Sequence, residues 1–202
     1  MIRKFFYGFM FVAMNICLNA QWVSSNNGLP EKAGPSCFAM KGNILYTGPS
    51  EGLFYSTDYG LGWQQKNLND DRKPFVGTFS FEGSTMLAGG SNCVYASIDE
   101  GANWQKIANQ TLGGMGADKV MTKCDEFYVG NYYGLFYSPD KGKSWREITG
   151  GIRRDGFLDD DGDKVMVKTI RAFVLVESAL YLGASTGVFV STNIRRKLET
   201  IE

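Results

Sequence analysis

Seven charged residues crowd one short stretch of the chain: Arg153, Arg154, Asp155, Asp159, Asp160, Asp161 and Asp163. Two carboxylates held at a fixed separation hydrolyse glycosidic bonds, one as acid and the other as base or nucleophile. The run Asp159-Asp160-Asp161-Gly162-Asp163 is also rich in the oxygen ligands that calcium takes, although its glycine falls early and no glutamate closes the loop. Asp159, Asp161 and Asp163 are therefore the candidate metal ligands. No cofactor is expected beyond a calcium ion there. A solvated charged loop accounts for the same composition. Arg153, Arg154 and Asp155 are candidate ligand contacts, and Tyr132 and Tyr133 add two rings able to stack on a sugar or a peptide.

Other chemistries are excluded by composition. The chain has no histidine, so no histidine triad, histidine base or histidine metal ligand exists. Lysine plus arginine and aspartate plus glutamate each number 21 in 202 residues, which gives no field for nucleic acid. Cys37, Cys93 and Cys124 fall at unrelated places and include no Cys-x-x-Cys pair. They are expected to be buried free thiols rather than a disulfide or zinc framework.

Residues 1–20 read as a signal peptide. Arg3 and Lys4 precede an apolar stretch, Phe5 to Leu18, that is too short to span a membrane comfortably, and Ala20 offers a cleavage site. Secretion is expected, with no membrane span after the leader is removed.

The elements that must position the acidic stretch come from an internal repeat. Ser56-Thr57-Asp58-Tyr59-Gly60-Leu61-Gly62-Trp63 is matched by Ser97-Ile98-Asp99-Glu100-Gly101-Ala102-Asn103-Trp104 and by Ser138-Pro139-Asp140-Lys141-Gly142-Lys143-Ser144-Trp145. The shared pattern is Ser-x-Asp-x-Gly-x-x-Trp. The four tryptophans of the chain, Trp22, Trp63, Trp104 and Trp145, are 41 residues apart. Leu45-Tyr46-Thr47-Gly48, Met86-Leu87-Ala88-Gly89, Phe127-Tyr128-Val129-Gly130 and Leu180-Tyr181-Leu182-Gly183 precede the apolar runs that lead into each Ser. Such short β-branched and aromatic runs bounded by glycine are strands joined by hairpins. In the second unit they predict strands near Val76–Phe81, Thr85–Ala88, Val94–Ser97 and Trp104–Ile107. Four strands repeated at this period make the blades of an all-β propeller. Four Trp-to-Trp units are present, at 22–62, 63–103, 104–144 and 145–193, within one domain over 21–202.

These boxes and strand runs resemble the Asp-box (BNR) repeat β-propellers over about residues 21 to 193. That group includes sialidases, sortilin-type receptors, xyloglucan-cleaving glycosidases and proteins of the photosystem II assembly-factor type. The resemblance implies that the boxes lie at the blade periphery, away from ligand sites. Their residue types agree: Ser and Asp bond backbone groups in tight turns, Gly takes angles other residues resist, and Trp buries a large ring. Ser56, Asp58, Gly60, Trp63 and their counterparts Ser97, Asp99, Gly101, Trp104, Ser138, Asp140, Gly142 and Trp145 are thus structural. A sialidase needs an Arg-Ile-Pro segment that this chain lacks. The expectation is a secreted, non-catalytic module that binds or scaffolds a protein or glycan, the alternative being a fragment of a propeller glycoside hydrolase.

The repeat fails twice. Box serines are 41, 41 and then 53 residues apart, so a charged insert enters at Gly151–Asp163. A fourth box begins at Ser191-Thr192-Asn193 and is abandoned over 194–202; one choice of codons there, shifted by a base, restores Glu-Gly-Asn-Trp-Arg-Gln. The four units therefore predict a partial, truncated propeller prone to self-association. The alternative is a closed four-bladed ring in which Gln21-Trp22-Val23-Ser24 supplies the outer strand of the last blade.

Overall fold

The structure is a computed structural model, and it describes residues 22–91, 93–108, 112, 116–158 and 164–192. Every regular element in it is a strand. The first blade comprises β1 (Phe38–Lys41), β2 (Ile44–Thr47), β3 (Leu53–Ser56) and β4 (Gln64–Lys66). The second comprises β5 (Val76–Glu82), β6 (Thr85–Gly90), β7 (Cys93–Ser97) and β8 (Gln105–Ala108). The third comprises β9 (Lys119–Lys123), β10 (Glu126–Asn131), β11 (Gly134–Ser138) and β12 (Arg146–Glu147). Each is an antiparallel meander in chain order. The strands expected in the second unit fall within a residue or two of those observed.

The charged insert is not a plain loop. It carries a two-stranded ribbon, β13 (Asp155–Leu158) paired with β14 (Lys164–Val167). The fourth blade follows as three strands, β15 (Ile170–Val176), β16 (Ala179–Ala184) and β17 (Gly187–Ser191).

First strands of successive blades touch: β1 meets β5, β5 meets β9 and β9 meets β15. They therefore crowd a common axis, and β4, β8 and β12 lie outermost. A blade cannot bury both of its faces alone, so the core is built between blades. Three apolar clusters fill the three seams. Tyr46, Leu53, Val76, Met86, Tyr95 and Trp104 lie between blades one and two. Leu87, Val94, Ala96, Val120, Phe127 and Phe136 lie between two and three. Tyr128, Leu135, Tyr137, Ile170, Leu180 and Leu182 lie between three and four. Glycine lets the blades approach so closely. A Cβ on Gly48 would stand 1.9 Å from the Val76 carbonyl oxygen, and one on Gly130 would stand 2.9 Å from Ile170 and Phe173.

The ring is open. Among the described residues blade four packs on blade three alone, and its far face is exposed at Val174, Val176, Tyr181, Val188 and Val190. The four-bladed closure by the N-terminal strand is not formed. Trp22 and Val23 are exposed and outside any strand, and the segment after them lies on blade one, far in sequence from blade four. There Trp63 N donates to Asn27 O at 2.8 Å.

Candidate functional site

Antiparallel meanders sort the connections onto two edges. The Ser-x-Asp-x-Gly-x-x-Trp turns join third to fourth strands, at the same edge as the turns joining first to second. The loops between second and third strands share the opposite edge with the crossings from one blade to the next.

At the box edge the hydrogen bonds repeat. Ser97 Oγ donates to Asp99 Oδ1 at 2.7 Å and accepts from Gly101 N at 2.8 Å, while Asp99 Oδ1 accepts from Asn103 N at 2.9 Å. The first and third boxes make the same three bonds, within 0.1 Å, through Ser56 and Asp58 and through Ser138 and Asp140. Two consecutive left-handed residues make the turn. The residue before each box glycine is not glycine, yet Tyr59, Glu100 and Lys141 have φ of 59°, 59° and 58°. Hydrogen bonds from Asn103 and Ser97 pull the Asp99 carboxyl down to about 2. The Ser56 hydroxyl and Gly62 amide lower that of Asp58. The Ser hydroxyl and the Asp Oδ1 of each box are thus engaged within their own turn. One difference separates the boxes. Trp104 and Trp145 donate their indole N–H to their own box glycines, Gly101 and Gly142, at 3.2 and 3.1 Å. Trp63 instead donates to Ser25 O at 2.9 Å, and the Ser25 hydroxyl donates to Gly60 O.

The crossing edge does not repeat. Between blades one and two, Asp70 accepts from Arg72 Nε at 3.0 Å, from an Arg72 terminal nitrogen at 2.9 Å and from the Tyr95 hydroxyl at 2.6 Å. Lys106 Nζ stands 3.7 Å away. The Arg72 and Tyr95 bonds hold the Asp70 carboxyl well below its usual range, and burial followed by the Asp70 bond raises the Tyr95 phenol. A cleft of about 300 Å³ opens beside it, lined by Gly52, Gln65, Lys66, Asn67, Leu68 and Asp70 among others. Between blades two and three, buried Asn131 spans the crossing, donating to Leu112 O at 3.1 Å and Gly116 O at 3.2 Å.

Between blades three and four the crossing holds the charged insert and both tyrosines. Lys168 is buried and donates through Nζ to Glu147 Oε1 and, at 3.1 Å, to Thr149 O. Thr149 Oγ1 donates to the same Glu147 oxygen. Burial raises the Glu147 carboxyl, but the bonds from Lys168 and Thr149, with the charges of Lys168 and Arg154, outweigh it and leave it lowered. Lys168 N donates to Tyr132 O at 3.0 Å, and Tyr133 N donates to Asn131 Oδ1 at 2.9 Å. The base of the insert thus grips the tyrosine loop. Tyr132, Tyr133, Arg153 and Arg154 all remain exposed.

Of the residues expected at a site, Tyr132, Tyr133, Arg153 and Arg154 lie exposed in connections on the crossing edge. Asp155 begins β13. Asp159, Asp161 and Asp163 lie outside the described residues, as does the broken box over 193–202. Sequence reasoning missed Glu147, Thr149 and Lys168, although a lysine inside the apolar run from Val165 to Ile170 was a usable signal. It also placed all three thiols in the core. Cys93 is buried and Cys37 half-buried, but Cys124 sits exposed in the β9–β10 turn at φ 52°, its backbone N–H donating to Glu82 Oε2 of blade two.

No family model matches the chain, and no curated protein matches it. Solved structures do. The computationally designed Ika4 protein aligns with a TM-score of 0.56 at 13% identity, over 82% of this chain and 94% of that one. YCF48 from Cyanidioschyzon merolae aligns at 0.54 and 15% identity, over 81% and 54%. The GH74 enzyme of Niastella koreensis aligns at 0.50 and 13% identity, over 79% and 29%. The chain thus spans about half of the YCF48 chain and under a third of the GH74 chain. At such identities the likeness is one of fold, and that fold is the β-propeller, here with its sheets unclosed.

Proposed function

We propose that this chain is a secreted β-propeller module that binds an anionic glycan or acidic peptide, without catalysis, on its crossing edge between blades three and four. The observation that carries the reading is one juxtaposition. Tyr132 and Tyr133 stand exposed on a loop clamped by Lys168, with Arg153 and Arg154 exposed on the same edge. Phenol rings stack on sugars and peptide planes, and guanidinium forks take carboxylates and phosphates in pairs. Lys168 is spent on Glu147, so the two arginines supply the recognising charge. The box aspartates make poor ligands or acids, since each is consumed by its turn. Residues 1–20 act as the leader in this reading.

The test is a panel of anionic and neutral glycans and of acidic peptides presented to the full chain. Binding that falls at least about 10-fold, some 1.4 kcal/mol, in Tyr132→Ala/Tyr133→Ala and in Arg153→Ala/Arg154→Ala supports the proposal. Binding indifferent to all four changes, or absent across the panel, overturns it. Glycan cleavage that disappears in Asp155→Ala would turn the reading to a hydrolase fragment.

A further inference from the structure

We propose that two copies of this chain close one eight-bladed ring, each lending its Trp22–Ser25 segment as the outer strand of the other's fourth blade. Three observations converge on the two open ends.

The first is the face of blade four. Tyr181 pairs with Val190 and Gly183 with Val188, as Leu87 pairs with Ala96 and Gly89 with Val94 in blade two. The blade-two residues Leu87, Val94 and Ala96 are 0%, 0% and 6% exposed because blade three covers them. Their counterparts Tyr181, Val188 and Val190 are 44%, 83% and 58% exposed. The residues of a seam are present, and among the described residues no neighbour covers them.

The second is the glycine near the end of each second strand. A Cβ on Gly48, Gly89 or Gly130 would collide with the next blade at or just before its first strand, at Val76, at Ala117 and Val120, and at Ile170 and Phe173. One on Gly183 would meet nothing nearer than the Ala172 carbonyl of its own blade at 3.7 Å. By the repeat, the residues that press on this socket are the counterparts of Val120 and Phe173, and in blade one that position is Phe38. Phe38 and Met40 are exposed on the open face of blade one.

The third is the N-terminal segment, which occupies the place of an outer strand. In blade three, the box glycine Gly142 lies against Ile107, on the outer strand of the preceding blade. In blade one, Gly60 lies against Ser25. Ile107 and Ser25 each stand three residues after a periodic tryptophan. Trp22–Ser25 therefore flanks blade one in the position of an outer strand, without pairing to any strand of its own chain. Blade four has the converse lack, since its β17 edge carries no outer strand among the described residues.

A second copy satisfies both. Unpaired strand edges and uncovered apolar faces drive association. Head-to-tail contacts give a ring when the rotation closes. Propellers run to about eight blades, which two copies supply and three exceed. The pairing register follows from Tyr55↔Gln64 with Phe54↔Gln65 and from Tyr137↔Arg146 with Phe136↔Glu147. It sets Val23 opposite the partner's Val190 and Ser24 opposite the partner's Phe189.

The experiment is light scattering on the full chain with designed variants. The wild type is expected at twice the mass of the single chain without its leader. Gly183→Val fills the socket with a Cβ in ordinary contact, 3.7 Å, with its own blade, and Val23→Pro removes a ladder donor at an exposed position. Each should retain the wild-type circular dichroism spectrum and weaken the dimer at least about 10-fold. On a Cys124→Ser background, mild oxidation of Val23→Cys/Val190→Cys should give a covalent dimer, and of Val23→Cys/Val176→Cys none. A monomer at about 100 µM, a Val23–Val190 link within one chain, or an open ladder of oligomers would overturn the proposal. So would a dimer indifferent to both Gly183→Val and Val23→Pro, whatever happens at the tyrosine site.

Discussion

The two edges of the blades obey different rules. At the box edge, three turns of unlike sequence outside the pattern make the same three hydrogen bonds. At the crossing edge each seam is bridged differently: by Asp70 with Arg72 and Tyr95, by Asn131, and by Lys168 with Glu147. Repetition follows wherever one geometric task recurs, here a tight turn that hands a tryptophan to the next strand. Variation follows where the task is local. The edge that varies is the one that holds exposed rings and guanidinium groups beside a built polar base.

The contrast breaks most directly at Trp104, fully buried in the first seam. Trp104→Ala is expected to cost about 3–5 kcal/mol in urea unfolding. A loss below about 1 kcal/mol would mean that the box tryptophans do not anchor the blades. Lys168→Met probes the other edge. It strands Glu147 and should cost about 3 kcal/mol, the low end for a buried pair because the Glu147 side chain is 35% exposed. If it costs nothing measurable, the crossing edge has no built base and the contrast weakens. Ser97→Ala leaves the Gly101 amide and the Asp99 carboxylate each short of a partner and should cost about 1–3 kcal/mol, with Ser56→Ala and Ser138→Ala alike. Unequal losses would show that equal geometry hides unequal energies. The smallest effect is in pH. The box carboxyls are lowered, so their contribution is present above the ordinary aspartate value of about 4 and is lost as pH falls toward the folded value of about 2 for Asp99. The urea midpoint should drop as pH falls from 5 to 2, and Asp99→Asn should flatten part of that fall.

The strands were legible because their signals are local. Periodic tryptophans, box glycines and aromatic runs each fix a turn or a strand within a few residues. The insert was misread as a loop because its ribbon, Asp155–Leu158 on Lys164–Val167, is held by pairing between its own two strands and not by any repeat. Tyr132 and Tyr133 stood out as candidates because the equivalent loops hold Pro49-Ser50-Glu51, Ser91-Asn92 and Ser185-Thr186, with no aromatic ring. Lys168 was missed because its partner lies 21 residues away on another blade. The N-terminal segment resembles an outer strand in pattern, but residues 22–25 form no strand, and the pattern alone did not say which blade they would flank. The bond from Trp63 to Ser25 settles that in favour of blade one.

The seams between neighbouring blades also set how the chain comes apart. Each apolar cluster joins two adjacent blades, so stability accrues along a line, one link at a time. Blades two and three are held from both sides, and blades one and four from one. In an isolated chain, amide exchange would then run fastest in β15–β17 and β1–β4 and slowest in β5–β12, a gradient from ends to middle. A line that bends round to meet another has no ends, and its melting would change from fraying to a single cooperative event.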